Sequence, residues 1–409
     1  MKIAFITQHF YPEPFSNTRL AQSLVERGHE VQVFPCVPNY PEGKFYDGYS
    51  NRTHREEVYE GVRIHRAYTI PRGNRAISMA INFCSYPIFG FWTMLRRIKG
   101  RPDVSFASLT SPLFQAFPAV FLRWVKGTPA VYWVQDLWPQ TLIYVLDLKN
   151  PVIIRLLHWI CGWLYRRADL ILVQSEGFPE PIAAYGVPRD RIRVLPNSAP
   201  DEFRPLSPED APQEAAIVPQ SGFRLMFAGN IGVAQGFETI IEAADRLRDR
   251  TDLTWVIVGA GRHEEAVRQE IARRGLDPAF EFVGRHPSEK MPYFFAHADA
   301  MLVCLTDVYT NAITVPFKVQ CYMACGKPII GCLRGEGARV IDASGGGLTS
   351  PAGDADGLAA SVRQMLDMPA QDRARMGANS RAYFDANYAR EKVEGDLARW
   401  LQEIADARR

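Results

Sequence analysis

The chain has 409 residues, 47% of them hydrophobic and 22% charged, which are the values of an ordinary globular protein with room for two domains. Its seven cysteines, an odd number without paired CxxC motifs, argue against a disulfide framework and indicate a reducing compartment. The net charge is +2, but residues 1–205 hold 24 Lys or Arg against 17 Asp or Glu. A basic first half indicates either an anionic partner, such as a membrane surface or a phosphorylated substrate, or simply a solvated surface.

The first half of the chain alternates short apolar runs with helical patterns. The first run turns polar at Gln8 and His9, which predicts a β-strand rather than a signal peptide. A helix is predicted at residues 18–27, ending at Gly28. The predicted strands are residues 2–7, 29–37, 62–67, 104–108, 130–134 and 170–174. Such alternation predicts a parallel, doubly wound sheet.

An apolar segment at residues 76–95 leads into the basic run 96–101. It has the length of a membrane span, but Asn82, Ser85 and Pro87 interrupt it. Three alternatives follow: a helix on a membrane surface, a buried core helix, or a true span. The basic flank favours the membrane surface, because cations there would meet anionic headgroups. Residues 151–167, rich in Trp and Arg, belong either to the same surface or to the core.

The second half repeats the strand–helix alternation after an irregular, Pro-rich stretch at residues 196–221, which is predicted to be a linker. Strands are predicted at residues 224–228, 254–258, 280–283 and 300–305, and helices at 237–248, 263–273, 291–297 and 382–405. The sequence therefore predicts an α/β fold of two Rossmann-like, doubly wound domains facing each other across a cleft. We place them at 1–205 and 206–381, with residues 382–409 returning to the first domain. Ligands are expected at the carboxyl ends of the strands.

Four glycine-containing loops follow strands of the second domain, at residues 229–236, 259–261, 284–287 and 335–338. Glycine lets a ligand approach the backbone closely, and a helix start attracts an anion. Each loop alone reads as an ordinary turn, and none is a P-loop. Together they favour a nucleotide-diphosphate site that includes Gly229, Asn230, Gln235 and Arg285, although Arg285 is equally interpreted as a surface residue.

Residues 314–330 complete this prediction. Pro316 suits a helix start, Lys318 falls in the first turn, and residues 326–328 end the helix before a short strand. Free N–H groups, a partial positive charge and a lysine make a plausible phosphate site. Thr314 and Val315 precede it.

Asp136 closes a strand of the first domain, in the sequence Val134-Gln135-Asp136-Leu137-Trp138. Such an acid can act as a base, orient a sugar hydroxyl or cap the next helix.

Asp354 and Asp356 form a DxD motif at the start of a predicted helix, so the motif is interpreted as a helix cap. We expect no metal ligand.

These motifs, in this order, resemble a retaining glycosyltransferase of family four with the GT-B fold. The chain is similar to bacterial enzymes of O-antigen, capsule and exopolysaccharide assembly, including N-acetylfucosamine transferases. The residues that carry the resemblance are 1–13, 27–31, 38–44, 136–139, 195–197, 228–236, 315–318, 322–328 and 335–339.

The resemblance also exposes departures. The wider family holds the donor diphosphate with an Arg and a Lys, where this chain has Asn230 and Gln235, and it places two Glu residues where this chain has Ile313 and Cys321. The polysaccharide subgroup carries a Pro-x-Lys signature instead, which assigns the diphosphate to Lys318. Cys321 replaces the Glu expected at the ribose.

By the same resemblance, Glu336 is a candidate substitute at the ribose. Asp136 stands where many relatives have a His that contacts the donor sugar, so it is expected to contact either that sugar or the acceptor. Ser16 and Asn17 should border the diphosphate, and Arg19 and Tyr40 the acceptor; Arg19 is equally interpreted as a helix-surface residue.

The resemblance implies a metal-independent hexosyltransferase without a cofactor. Its expected donor is a UDP-sugar with an N-acetylated sugar, and its expected acceptor is a polyprenyl-diphosphate-linked glycan at the inner membrane surface; no nucleic-acid partner is expected. The diphosphate would leave from the face that the acceptor attacks and would help to remove the acceptor proton, while the protein positions both and stabilises charge. Two alternatives remain: a UDP-N-acetylhexosamine epimerase, and a non-catalytic sugar-nucleotide-binding protein.

Overall fold

The computed structural model describes residues 1–71, 76–145, 148–211, 217–219 and 221–407. The chain divides into two compact units: Met1–Leu195 together with Glu394–Arg409, and Pro196–Val393. Part of the predicted linker, residues 212–216 and 220, lies outside the described residues.

The first unit is built on an eight-stranded sheet in the order β3-β4-β2-β1-β5-β6-β7-β8. All neighbouring strands are parallel except β3 and β4, which form an antiparallel pair. The strands are β1 Lys2–Ile6, β2 Glu30–Phe34, β3 Glu56–Tyr59, β4 Val62–His65, β5 Val104–Leu109, β6 Ala130–Val134, β7 Leu170–Val173 and β8 Ile192–Val194. The strand order reverses at β1, which lies between β2 and β5, and ligands of doubly wound sheets bind at such a point.

The helices of this unit are α1 Ser16–Glu26, α2 Ala76–Arg97, α3 Phe117–Lys126, α4 Gln140–Val145, α5 Pro151–Tyr165 and α6 Pro179–Ala183, and part of α15 Arg390–Asp406 joins them. Local sequence explains their ends: the Asn150 side chain caps α5 by accepting the backbone N–H of Val152 at 2.9 Å, and Pro151 follows it. Residues of α15 reach β8, where Arg193 pairs with Glu403 at 2.6 Å.

The second unit has a six-stranded, fully parallel sheet in the order β11-β10-β9-β12-β13-β14. Its strands are β9 Phe223–Ala228, β10 Leu253–Val258, β11 Phe280–Gly284, β12 Ala300–Cys304, β13 Ile329–Cys332 and β14 Gly347–Ser350. Its helices are α7 Phe237–Arg246, α8 Glu264–Arg273, α9 Met291–Ala296, α10 Tyr309–Ile313, α11 Phe317–Ala324, α12 Glu336–Ser344, α13 Ala355–Asp367 and α14 Ala370–Asn387. Here the order reverses at β9.

The structure confirms the α/β class with two parallel-sheet domains, and it corrects one helix. A single helix over 382–405 was predicted, but α14 ends at Asn387 and α15 begins at Arg390. Tyr388 interrupts the helical path with φ −124°, and its ring is 6% exposed. The helix therefore breaks at a buried tyrosine. No Gly or Pro at this position signals the break in the sequence.

Within the described part of the chain, we find no helix that combines the length and the apolar character needed to cross a bilayer. Helix α2 instead has two sides. Tyr86 and Met94 are buried in the unit, whereas Ile88, Trp92 and Leu95 are exposed. One side of α2 therefore packs in the unit, while the other presents apolar side chains to solvent.

Candidate functional site

Three strand-end loops of the second unit enclose one cavity of about 260 Å³. Residues that line it follow β9, β10 and β11 and include Gly229, Asn230, Gly259 and Arg285. The loops at 229–236, 259–261 and 284–287 were predicted to meet because each follows a parallel strand, and the structure brings these three together.

The floor of this cavity is main chain packed against main chain. Gly259 donates its N–H to the Gly284 carbonyl at 2.8 Å, and Gly229 donates to the Val258 carbonyl at 2.9 Å. A methyl group built on Gly259 would lie 1.9 Å from the Gly229 carbonyl oxygen, and one on Gly261 would lie 2.0 Å from the Ile231 carbonyl oxygen. Glycine is therefore required at 259 and 261 for the loops to approach this closely.

Lys318 lies directly behind Gly229. A methyl group built on Gly229 would be 3.4 Å from Lys318 Nζ, so this glycine leaves the ammonium room beside the backbone. Lys318 Nζ donates to Gln235 Oε1 at 2.6 Å and lies 4.0 Å from the centre of the Phe227 ring. Desolvation by burial lowers the pKa of Lys318 to about 7, with a smaller opposing effect from Cys304.

Helix α11, which carries Lys318, begins one residue after the predicted start and ends before Gly326 as predicted. Pro316 is its N-cap residue, Gly326 turns the chain with φ +64°, and β13 follows at Ile329. The Tyr322 hydroxyl on the same helix accepts the N–H of Ala228 at 3.1 Å and donates to its carbonyl at 3.2 Å. Tyr322 thus holds the end of β9, directly before Gly229, and no sequence pattern indicated this role.

The remaining predicted residues of the second unit lie around the start of α11. The Thr314 hydroxyl donates to the Thr310 carbonyl at 2.8 Å, and Val315 is buried. Cys321 is 5% exposed and packs in the apolar core, where burial raises the pKa of its thiol. Glu336 opens α12 and pairs with Arg339 at 2.7 Å.

The loop that carries Glu336 is held against the segment before α11. A methyl group built on Gly335 would lie 1.9 Å from the Ala312 carbonyl oxygen, and one on Gly337 would lie 2.9 Å from Pro316 Cδ. Glu336 therefore stands near the start of the lysine-bearing helix.

In the first unit, Asp136 follows β6 and is partly buried. Burial raises the pKa of its carboxyl to about 6. The loop around it is fixed, because the Trp138 indole donates to Ser111 Oγ at 3.1 Å and the Tyr165 hydroxyl donates to the Trp138 carbonyl at 3.1 Å. A carboxylate with a raised pKa on a rigid strand-end loop is a typical acid–base or substrate-orienting group.

The loop after β1 places the other predicted residues. Asn17 is buried and donates to Thr7 Oγ1 at 2.9 Å, while Ser108 Oγ donates to its amide oxygen at 2.6 Å. Its side chain thus joins the ends of β1 and β5. Ser16 and Arg19 are exposed on the first turn of α1.

Tyr40 lies in the loop after β2, which a buried carboxylate joins to the loop after β1. The Tyr40 backbone N–H donates to Glu13 Oε1 at 2.8 Å, and Glu13 pairs with His9 at 2.9 Å. The His9 ring stacks on Phe15 with centroids 4.6 Å apart. In the sequence, only the apolar residues around Glu13 could have indicated that this carboxylate is buried and links the two loops.

Asp354 caps α13 as predicted, since its side chain accepts the N–H of Gly357 at 2.8 Å. Among the described residues, no group of three or more His, Cys, Asp or Glu side chains is arranged to hold a metal ion.

Comparisons with known proteins agree with this architecture. The family model described as "Glycosyl transferase 4-like domain" matches residues 16–198, and the one described as "Glycosyl transferases group 1" matches residues 222–368. The chain is 26% identical to the probable glycosyltransferase WbjE of Pseudomonas aeruginosa, over 79% of this chain and 80% of that protein. It is 24% identical to the putative colanic acid biosynthesis glycosyl transferase WcaI of Escherichia coli, over 80% and 82%.

Among solved structures, Anabaena HepE in complex with UDP and glucose superimposes with a TM-score of 0.69 at 15% identity. The superposition covers 98% of this chain and 100% of that one.

Proposed function

Since this chain is a glycosyltransferase with the GT-B fold, we propose that it transfers a sugar from a UDP-sugar to a lipid-linked saccharide in the biosynthesis of a bacterial surface polysaccharide. The observation that carries the proposal is the glycine-floored cavity with Lys318 behind Gly229. The UDP bound to HepE and the colanic acid pathway named for WcaI support the donor and the pathway.

The second unit is assigned the donor. The start of helix α11 and the Lys318 ammonium are suited to the diphosphate, because they stabilise the charge that builds on the leaving group. Arg285 lines the same cavity and would add a second cation. Glu336 is assigned to the ribose, since Cys321 packs in the core. The transfer is proposed to retain the anomeric configuration and to need no metal, with an N-acetylated hexosamine as the sugar.

The first unit is assigned the acceptor. With a pKa of about 6, Asp136 is mostly a carboxylate at neutral pH and accepts a hydrogen bond from a sugar hydroxyl. Arg19 on the first turn of α1 and Tyr40 in the loop after β2 border the same acceptor in this proposal, while Ser16 and Asn17 at the start of α1 border the diphosphate.

An enzyme that acts on a lipid-linked acceptor needs a surface that binds the membrane. In this proposal, helices α2, α3 and α5 form that surface. Aromatic contacts join these helices. The ring centroids of Phe91 in α2 and Phe121 in α3 are 4.6 Å apart, and those of Trp124 in α3 and Trp163 in α5 are 5.8 Å apart. We call these three helices the apolar face. Its exposed side chains include Ile88, Trp92, Leu95, Trp124, Val125, Val152, Leu156 and Trp159.

Cations border the apolar face. The Arg96 guanidinium lies 5.6 Å from the Trp92 ring centre, and that of Arg167 lies 4.9 Å from the Trp163 ring centre. Indole rings at the interface and cations above them match the boundary between acyl chains and anionic headgroups. We therefore assign this face to the membrane.

Cosedimentation with vesicles tests the membrane assignment. Wild type should bind vesicles that contain phosphatidylglycerol, bind pure phosphatidylcholine less, and be released by salt. A Trp92→Glu, Leu95→Glu variant should lose binding, whereas the control Val58→Glu, which changes an exposed residue of β3, should keep it. Equal binding by the double variant and the control would refute the assignment.

Thermal unfolding with UDP, GDP and their sugars tests the donor. UDP should raise the melting temperature of wild type, since a ligand at about a hundred times its Kd stabilises by about 2.7 kcal/mol. If only GDP raised the melting temperature, the donor would be a GDP-sugar and not a UDP-sugar. If neither nucleotide raised it, the proposed donor site would be refuted. Epimerisation of a UDP-sugar without any acceptor would identify an epimerase instead.

A further inference from the structure

A second cavity, of about 520 Å³, lies wholly within the first unit, between the loop after β1 and the loop after β2. Its volume falls in the range of about 300–1,000 Å³ that small-molecule sites occupy. Four aromatic rings and two carboxylates line it: Tyr11, Phe45, Tyr46, Tyr49, Glu42 and Asp47. The functional assignments above use none of these residues.

The walls of this cavity are fixed before any ligand arrives. Buried Glu13 accepts the N–H groups of both Asn39 and Tyr40 at 2.8 Å, which anchors the loop after β2 to the loop after β1. The Tyr46 hydroxyl donates to the Tyr40 carbonyl at 2.7 Å and closes that loop on itself. A site organised in this way loses little conformational entropy when it binds.

Two of the rings are supported from behind. The Tyr11 ring stacks on Tyr59 with centroids 3.7 Å apart, and the Arg66 guanidinium lies 5.1 Å from the centre of the Tyr49 ring. Arg66 is buried and also donates to the Tyr11 carbonyl at 2.8 Å, so one cation holds both tyrosines in place. Each ring therefore presents a fixed surface to the cavity.

The charges select the ligand. Glu42 and Asp47 are exposed carboxylates that accept hydrogen bonds from hydroxyl groups, and Lys44 is the cation beside them. Two carboxylates against one ammonium disfavour a phosphate or an acidic sugar. Aromatic faces carry partial negative charge and attract the polarised C–H groups on the apolar side of a pyranose ring.

We propose that this cavity is a subsite for an uncharged pyranose residue, with the ring on the tyrosines and its hydroxyls on Glu42 and Asp47. Such a residue is part of a saccharide acceptor, so this assignment of the ligand's source rests on the proposed function. It specifies that the acceptor glycan carries a neutral sugar at the position that this subsite contacts.

Saturation-transfer NMR on the full chain tests the subsite at millimolar affinity. The probes are methyl glycosides of glucose, galactose, mannose, fucose, N-acetylglucosamine and N-acetylgalactosamine, with glucose 6-phosphate and methyl glucuronide as charged counterparts. At least one neutral glycoside should bind wild type, and the charged sugars should bind about tenfold more weakly or not at all, the scale of a like-charge contact near a surface.

The variants Glu42→Gln and Asp47→Asn should each weaken binding of the neutral glycoside by about tenfold, because hydrogen bonds to charged groups are stronger than those to neutral groups. Both residues are exposed, so the fold should survive. The matched control Glu60→Gln changes an exposed acid of the turn between β3 and β4 and should bind like wild type.

Failure to bind any neutral glycoside, preference for the charged sugars, or equal binding by the control and both variants would overturn the subsite. UDP-induced stabilisation is measured on the same samples. If UDP stabilises the protein and no glycoside binds, the subsite is wrong and the donor site stands. If a glycoside binds and UDP does not, the proposed function fails while the saccharide site stands.

Discussion

Lys318→Met is the most informative single change, because it removes the ammonium behind Gly229 and keeps an unbranched side chain. Loss of one preorganised partner for transition-state charge costs about 10²–10³ in kcat, and the partly buried position of Lys318 favours that scale. We expect turnover of the UDP-sugar to fall about a hundredfold or more at pH 7.

The pH dependence of donor binding gives a second magnitude. The pKa of Lys318 is lowered to about 7, so the protonated fraction falls from about nine-tenths at pH 6 to about one-tenth at pH 8. The two phosphates of a UDP-sugar keep their charge across this range, and they bind the ammonium form. The Kd of wild type should therefore rise about tenfold from pH 6 to pH 8.

The sign of this effect follows from the free protein. Burial holds Lys318 partly neutral, and a bound diphosphate raises its pKa again, so donor binding at pH 8 takes up a proton. Titration calorimetry in two buffers of different ionisation enthalpy measures that uptake. His286 lines the same cavity, so the decisive comparison is between wild type and Lys318→Met at each pH.

Lys392→Met, which changes an exposed lysine of α15, is the control and should retain wild-type turnover. If Lys318→Met keeps turnover within about threefold of wild type, well short of the loss expected for a transition-state charge partner, Lys318 has no such role. If the variant keeps the same proton uptake as wild type, Lys318 is not the group that takes up the proton.

Two further changes test other parts of the molecule. Asp136→Asn should remove a fall in kcat/KM below about pH 6, because the native carboxyl, with its pKa raised to about 6, loses its charge there; pH–rate profiles that coincide for both proteins would exclude Asp136 from the reaction. Tyr322→Phe leaves both backbone groups of Ala228 without the hydroxyl, so the free energy of unfolding should fall by about 1–3 kcal/mol and UDP affinity should fall with it. Urea denaturation and thermal shift measure the two effects, and a variant as stable as wild type would contradict the role of that hydroxyl.

The sequence predicted the buried strands well, because a parallel strand covered on both faces reads as a continuous apolar run. β6, Ala130–Val134, has the predicted bounds, and β9 and β10 differ from prediction by one residue. β3, β8 and β14 were not predicted. They have only three or four residues each, and β3 alternates between exposed and half-buried positions, which leaves too weak a pattern.

The site was predictable to the extent that topology dictates it. Gly229, Asn230 and Arg285 were expected to be neighbours because parallel strands bring their carboxyl ends to one edge of a sheet. Tyr322 and Phe227 were not assigned roles, because a tyrosine in an apolar helix and a phenylalanine in a strand are ordinary core residues until their tertiary partners are known. The saccharide cavity was missed for the same reason, since its walls depend on contacts of Glu13 and Arg66 across the chain.

The main-chain floor of the 260 Å³ cavity in the second unit separates positions that admit no side chain from positions that can vary. Gly259 and Gly261 admit no side chain, so selection has no room to vary them. Asn230 and Arg285 line the same cavity but are exposed, so their side chains can change without disturbing that floor. A library confined to these two positions should therefore yield folded proteins, and altered sugar-nucleotide choice among them would identify the cavity as the proposed donor site.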